Sequence, residues 1–250
     1  MKSAKLLVAL AATGLVATSA FAQKSAFEGF YGQLATGYEN NSTSNGNVVT
    51  SDIGSGNPPA TWTSSNQSFG GAPLVIGAGY NFSVAPKWVV GLGADYSFLP
   101  QTSSTYSASN PAAGSNNAGG TIAGATYKTS NRYNIFITPG YEIDKDKLVY
   151  FKAGYSSVSL TSNSATSYID NGDAMNNNTI RAGSQSKTLN GYVLGLGYKQ
   201  FITGGIYGFA EGNYMSYSKA NFATVANETS FSSNPGLSSY QLLVGVGYKF

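Results

Sequence analysis

Tyr240-Gln-Leu-Leu-Val-Gly-Val-Gly-Tyr-Lys-Phe250 closes the sequence and alternates with a period of two. Tyr240, Leu242, Val244, Val246, Tyr248 and Phe250 share one face; Gln241, Leu243, Gly245, Gly247 and Lys249 share the other. Successive side chains of a strand point to opposite sides of its sheet. One face therefore suits hydrocarbon and the other a polar interior.

Working back along the chain, the same texture recurs. Leu74 to Phe82, Trp88 to Phe98, Tyr133 to Tyr141, Val149 to Tyr155 and Tyr192 to Tyr198 each set large apolar residues against Gly, Asn, Asp, Lys or Ser. Phe30 to Tyr38 fits with Gln33 inward. Ile206 to Tyr217 carries aromatics in both phases, with Glu211 expected inward and a bulge expected to reconcile them. Eight strands result. A G-x-G-Y repeat at Gly77–Tyr80, Gly195–Tyr198 and Gly245–Tyr248, with Pro139-Gly-Tyr141 as a weaker copy, closes every even-numbered strand. Tyr80, Tyr141, Tyr198 and Tyr248 are thereby expected at one rim, as an aromatic girdle between hydrocarbon and headgroups. A nucleotide fingerprint in these glycines is a weak alternative, since no βαβ unit follows any of them.

Long and short connections strictly alternate. Residues 39–71, 99–125, 161–186 and 218–236 are rich in Ser, Thr, Asn and Gly and are expected to be loops. Their apolar content looks too sparse for a core, though Trp62, Phe69, Tyr106, Tyr168, Phe222 and Phe231 are candidate anchors. The links at 83–87, 144–147 and 202–205 are short. An open sheet cannot span a bilayer, because its edge groups would go unpaired in lipid. The pattern therefore predicts an all-β fold, a closed antiparallel up-and-down transmembrane β-barrel of eight strands, with long extracellular loops and short periplasmic turns.

Composition excludes several chemistries. The 250 residues include no Cys and no His, 31 Gly and 18 Tyr; only 10% are charged, and the mean hydropathy is −0.12. Thiol and disulfide chemistry are excluded by the first absence, and His bases, His-ligated metals and Ser-His-Asp triads by the second. Residues 1–22 read as a signal peptide: basic Lys2 and Lys5, a short apolar run from Leu6 to Val16, and Ala20-Phe-Ala22 before the cut. That leaves 23–250 as the barrel domain. Without those two lysines 12 basic residues face 11 acidic ones, and no Lys/Arg cluster suggests a nucleic-acid partner.

The inward phase contains Asp95, Arg132, Glu142, Lys152, Lys199 and Glu211. Isolated buried charges are costly, so some are expected to pair across strands in a lumenal polar network. A soluble lipocalin-like barrel would reverse the two faces. Paired glycines at 77/79, 91/93, 195/197 and 245/247 leave interior room, which inward Tyr31, Phe136, Tyr150 and Phe209 are placed to fill.

The terminal strand resembles the closing signature of bacterial outer-membrane proteins, and the mature chain resembles the small eight-stranded barrels that include the OmpA transmembrane domain and OmpX-like proteins. The resemblance implies that Tyr240, Leu242, Val244, Val246, Tyr248 and Phe250 form an assembly signal read by the barrel-assembly machinery, and that the chain sits in outer-membrane lipid. The sequence ends at the last strand, so the peptidoglycan-binding domain of full-length OmpA is not expected. No cofactor, metal site or enzymatic activity is expected. Glu142 with Asp144 and Asp170 with Asp173 read as turn-shaping pairs. The expected function is a structural barrel that presents its loops to a surface ligand or host factor; the alternative is a narrow porin-like pore, although eight strands leave a bore that side chains can fill.

Overall fold

Period-two alternation becomes sheet throughout the computed structural model, which describes residues 25–44, 46–52, 59–111, 119–170, 173–179, 183–226 and 229–250. The signal segment 1–22, Asn171-Gly172 and Asn227-Glu228 lie outside the described residues. Among the described residues eight long strands form the wall: β1 (Gly29–Ser44), β2 (Leu74–Ala85), β3 (Trp88–Ser97), β4 (Gly120–Asp144), β5 (Lys147–Asn163), β6 (Ser184–Thr203), β7 (Ile206–Tyr217) and β8 (Gly236–Lys249). Each pairs antiparallel with the next. β1 then pairs with β8 from Tyr31↔Lys249 to Ser44↔Gly236, which closes the ring. No wall strand keeps an open edge at membrane level, as a lipid environment demands.

The alternation sorts the faces as expected. Leu34, Ile76, Leu92, Ile135, Ile137, Leu196, Leu242 and Val244 point outward and are exposed. Tyr31, Phe136, Tyr150, Tyr207 and Phe209 are buried inside. The inward glycines receive these rings. A Cβ on Gly79 or Gly93 would lie 2.6 Å from the Tyr31 hydroxyl, and one on Gly245 2.7 Å from Phe209 Cζ. The space at Gly79, Gly93, Gly197, Gly245 and Gly247 is thus occupied by aromatic rings, whereas Gly77, Gly91 and Gly195 face the polar side chains of Gln33, Thr138 with Asn81, and Asn213.

One local expectation needs correction. β7 contains no bulge: its register with β8 runs unbroken from Ile206↔Tyr248 to Ser216↔Ser238. Tyr207 and Phe209 share the inward phase with Glu211, and the irregularity falls in neighbouring β6, between Phe201 and Thr203. A second irregularity lies in β4 opposite Val158, where Asn131 takes a left-handed backbone (φ 51°) and the inward phase shifts to Arg132. The tight links turn at 86–87, 145–146 and 204–205. Lys87 (φ 68°) and Gly204 (φ 53°) supply the left-handed conformation in two of them.

The larger correction concerns the four long connections. β4 runs 25 residues and β6 runs 20, whereas about 9–11 cross a membrane. Beyond the wall, one sheet continues through Phe222–Ala226, Thr229–Ser233, Val48–Asp52, Ala60–Ser64, Tyr106–Asn110, the top of β4, Ser167–Asp170 and Asp173–Thr179. This extension has apolar clusters. Trp62, Ala108, Ile122, Ala125 and Ala165 form one. Phe69, Tyr127, Val158, Leu160, Phe222 and Leu237 belong to another that reaches down to Val193 and Met215. Of the candidate anchors, Trp62, Phe69 and Phe222 are buried, Tyr106 stacks on Tyr127 at 5.1 Å, and Phe231 is half-buried. The side chain of Tyr168 lies outside the described residues. The core was missed because its members come from all four connections, each contributing only a few.

Candidate functional site: the charged lumen and its two ends

Inward residues from alternate strands meet at the same height in a narrow barrel, and the candidate charges fall into layers for that reason. In the middle layer Lys152 of β5 is fully buried, with Asp95 of β3 at 2.7 Å and Glu211 of β7 at 2.9 Å. Asn134 donates to Asp95 at 2.6 Å. The Tyr150 hydroxyl and the Asn213 amide donate to Glu211 at 2.7 and 2.8 Å. Lys152 also lies 4.1 Å from the centre of the Phe136 ring. One ammonium therefore joins three alternate strands.

The layer nearer the extension centres on Arg132. Its guanidinium pairs with Glu39 and donates to Tyr217 at 3.0 Å, Asn41 at 2.8 Å and Ser239 at 2.9 Å. Gln241 and Asn41 donate to the Glu39 carboxylate at 2.7 and 2.8 Å. This network crosses the lumen from β4 to β1 and β8 on the opposite wall. Glu39, Asn41 and Ser239 were not among the sequence candidates. Glu39 fell at the start of an expected loop, yet it continues the inward phase of Tyr31 and Ala35, and that parity was the available signal.

Lys199 and Glu142 stand apart from these networks. Among the described residues Lys199 makes no ion pair; its ammonium lies 4.3 Å from the centre of the Tyr31 ring, with Tyr150 and Tyr207 at 5.0 and 5.2 Å. Such contacts between a cation and aromatic faces offset part of its desolvation. Glu142 accepts from the Ser25 hydroxyl at the tight-turn end and is buried, so it does not shape an exposed turn. Ser25 to Glu28 fold into that mouth. Phe27 is 2% exposed and stacks on Phe201 at 4.5 Å, and Asn81 donates to its carbonyl at 3.0 Å. Nothing in the alternation pointed to this plug, since it precedes the first strand.

Asp144 is exposed in the turn, as expected. The Lys145 backbone N–H, 2.8 Å away, and the nearby Lys147 ammonium hold its carboxyl below the usual carboxylate range. In the extension, burial pushes the Tyr106 phenol upward. Asp170 and Asp173 are register partners across Asn171-Gly172.

The outer face carries two levels of aromatic rings. At the tight-turn end Tyr80 meets Phe30 at 4.7 Å, Trp88 meets Tyr141 at 5.1 Å, and Tyr248 meets Phe250 at 5.2 Å. Tyr198 is half-buried, and its hydroxyl donates to Gln200 at 2.8 Å. A second level joins Tyr96–Phe98, Tyr133–Tyr155, Tyr192–Tyr214 and Tyr214–Tyr240. Eight residues separate Tyr133 from Tyr141 along β4. That is about 27 Å along the strand, or about 21 Å across the barrel at a tilt of roughly 40°.

A closed ring with an apolar outer band, aromatic rims and a charged, packed lumen defines a membrane-spanning β-barrel. The chain belongs to the family described as outer membrane protein beta-barrel domain, whose match covers residues 8–250. Its place is accordingly the outer membrane of a Gram-negative bacterium. Among solved structures it is similar in fold to the outer membrane protein OprG from Pseudomonas aeruginosa (TM-score 0.53, 12% identity, 91% of this chain and 99% of that one). Weaker likenesses are to Ail, the attachment invasion locus protein of Yersinia pestis (0.35, 12%, 89% and 99%), and to the outer membrane protease OmpT from Escherichia coli (0.43, 12%, 91% and 99%). No curated protein matches the sequence.

Proposed function

We propose that the barrel is a mount for a surface-exposed β-sheet, which meets a ligand or host factor outside the cell. The observation carrying this reading is the extension. Its strands continue well past the length a bilayer requires, and they enclose apolar clusters that the membrane-spanning wall does not need. In this reading residues 1–22 are removed on export, both mature ends face the periplasm, and the extension faces out. The strand from Tyr240 to Phe250 serves as the assembly signal for the barrel-assembly machinery. The aromatic levels, Tyr80, Tyr141, Tyr198 and Tyr248 among them, sit at the two bilayer interfaces.

A pore is less well supported. Aromatic and polar side chains fill the space beside the paired lumenal glycines, two charged layers cross the bore, and Phe27 closes one mouth. Among the described residues each buried carboxylate is taken up by hydrogen bonds within the lumen, which supports a structural role for them.

The chain contains no cysteine, which makes topology directly testable. Lys187→Cys and Lys219→Cys are expected to react with a membrane-impermeant maleimide on intact cells. Lys145→Cys, in a tight turn, is expected to react only after the outer membrane is permeabilised. The reverse pattern would overturn the display function.

A further inference from the structure

Above Asn190 the wall comes apart. β7 leaves β6 at Gly191↔Tyr217, and the Ser218 N–H donates to the Asn190 carbonyl at 2.9 Å. From there Ser184–Leu189 of β6 stays paired with β5, from Asn163↔Ser184 to Val158↔Leu189, but on its other side it has no backbone partner among the described residues. The strand facing it across the gap is Phe222–Ala226. Among the described residues that strand pairs only with Thr229–Ser233. Two free strand edges thus face each other.

The distance between them is bridged by a side chain. The Gln185 amide donates to the Ala223 carbonyl at 2.6 Å. Directly paired backbones lie about 4.8 Å apart and need no such bridge. The Ala223 carbonyl therefore points into the gap, and the two-residue repeat turns the N–H and C=O of Val225 the same way.

Natural sheet edges are commonly blunted by Lys, Pro or a bulge. Phe222-Ala-Thr-Val-Ala226 has none of these, its register with Thr229–Ser233 is unbroken, and Val225 is 62% exposed. Behind the gap lies a cavity of about 80 Å³ whose apolar lining includes Ala108, Ile122, Ala165 and Phe231. Ser162, Asn163 and Ser232 line it as well.

We propose that this gap is an insertion slot for an extended, uncharged polypeptide segment of a partner protein. The segment would pair with Ser184–Leu189 on one side and Phe222–Ala226 on the other, displace the Gln185 amide, and turn alternate apolar side chains toward the cavity. Backbone pairing supplies the affinity in such strand addition, and the pockets supply the preference. Unpaired N–H and C=O groups on both edges call for another backbone; the apolar lining of the cavity and the absence of charge along Phe222–Ala226 favour an uncharged one, although the facing edge carries one exposed lysine, Lys187. The proposal rests on the display function only for where the partner is met.

The test uses the full mature barrel folded in detergent micelles. The probes are ten-residue peptides alternating Thr with Val, Leu or Tyr, each with a copy N-methylated at alternate residues. Amide hydrogen exchange is read by mass spectrometry over 184–189 and 222–226. At least one peptide is expected to slow exchange at both edges by tenfold or more, and its N-methylated copy to have no effect. Gln185→Ala is expected to tighten binding several-fold by uncapping the edge. Val225→Pro, which removes a slot-facing N–H at an exposed position, is expected to weaken it about tenfold while the barrel stays folded.

No protection by any of the peptides at millimolar concentration would overturn the slot. So would protection at one edge alone, or equal binding by the N-methylated copies. Because the purified barrel is used, these outcomes are independent of which face the cysteine labelling finds outside.

Discussion

Replacing Lys152 with Met is the sharpest test of what holds the lumen together. Lys152 has no exposed surface, and its ammonium lies 2.7 Å from Asp95 and 2.9 Å from Glu211. Methionine keeps most of the side-chain length and removes the charge, leaving two buried carboxylates without their shared counter-ion. Losing one partner of a buried ion pair costs about 3–5 kcal/mol. With a urea slope of roughly 1–3 kcal/mol per molar, the unfolding midpoint should fall by about 1 M or more. Removing the acids as well, in Asp95→Asn/Lys152→Met/Glu211→Gln, should recover most of that loss, because neutral groups are far cheaper to bury than unpaired charges. The assay is reversible urea unfolding in lipid vesicles, followed by tryptophan fluorescence and by the heat-dependent gel shift of folded barrels. A Lys152→Met variant within about 0.5 kcal/mol of the parent would refute the reasoning. A triple variant no more stable than the single one would refute it too.

Three further outcomes are expected. Gly197→Ala places a methyl group inside the Tyr150 ring and should cost about 1–3 kcal/mol, whereas Gly183→Ala, with nothing within 4 Å, should be neutral in the same unfolding assay. Phe27→Ala should lower stability by about 3–5 kcal/mol in the same unfolding assay while single-channel conductance in planar bilayers stays at the parent's level, since the charged layers still cross the bore; an unchanged stability would show that Phe27 does not pack in the mouth. Deleting Phe250 should reduce the amount of folded, heat-modifiable barrel in the outer membrane while export continues, and equal amounts with and without it would remove the assembly role.

What the sequence disclosed, and what it hid, follows from where lipid imposes a pattern. Between the aromatic levels each outward residue meets hydrocarbon and each inward one a confined polar lumen, so Leu242 beside Gln241 or Tyr96 beside Asp95 is forced to alternate. The strands and the inward charges were legible for that reason. The pairings of those charges were not, because Asp95, Lys152 and Glu211 lie on three different strands, and only the register of the closed ring puts their ends in contact. Beyond the membrane the constraint lapses. Both faces of a strand can be wet there and the period-two signal is lost, so Phe222–Ala226 and Ser184–Leu189 merge into surroundings rich in Ser, Thr and Asn that read as loop. The same relaxation leaves edges free. Within the bilayer an unpaired backbone group costs several kcal/mol and the ring must close, whereas above it water can satisfy Val225 until another strand arrives. The transition from closed ring to open sheet at Asn190 therefore marks where lipid ceases to impose closure, and it is there that the proposed strand insertion places a partner.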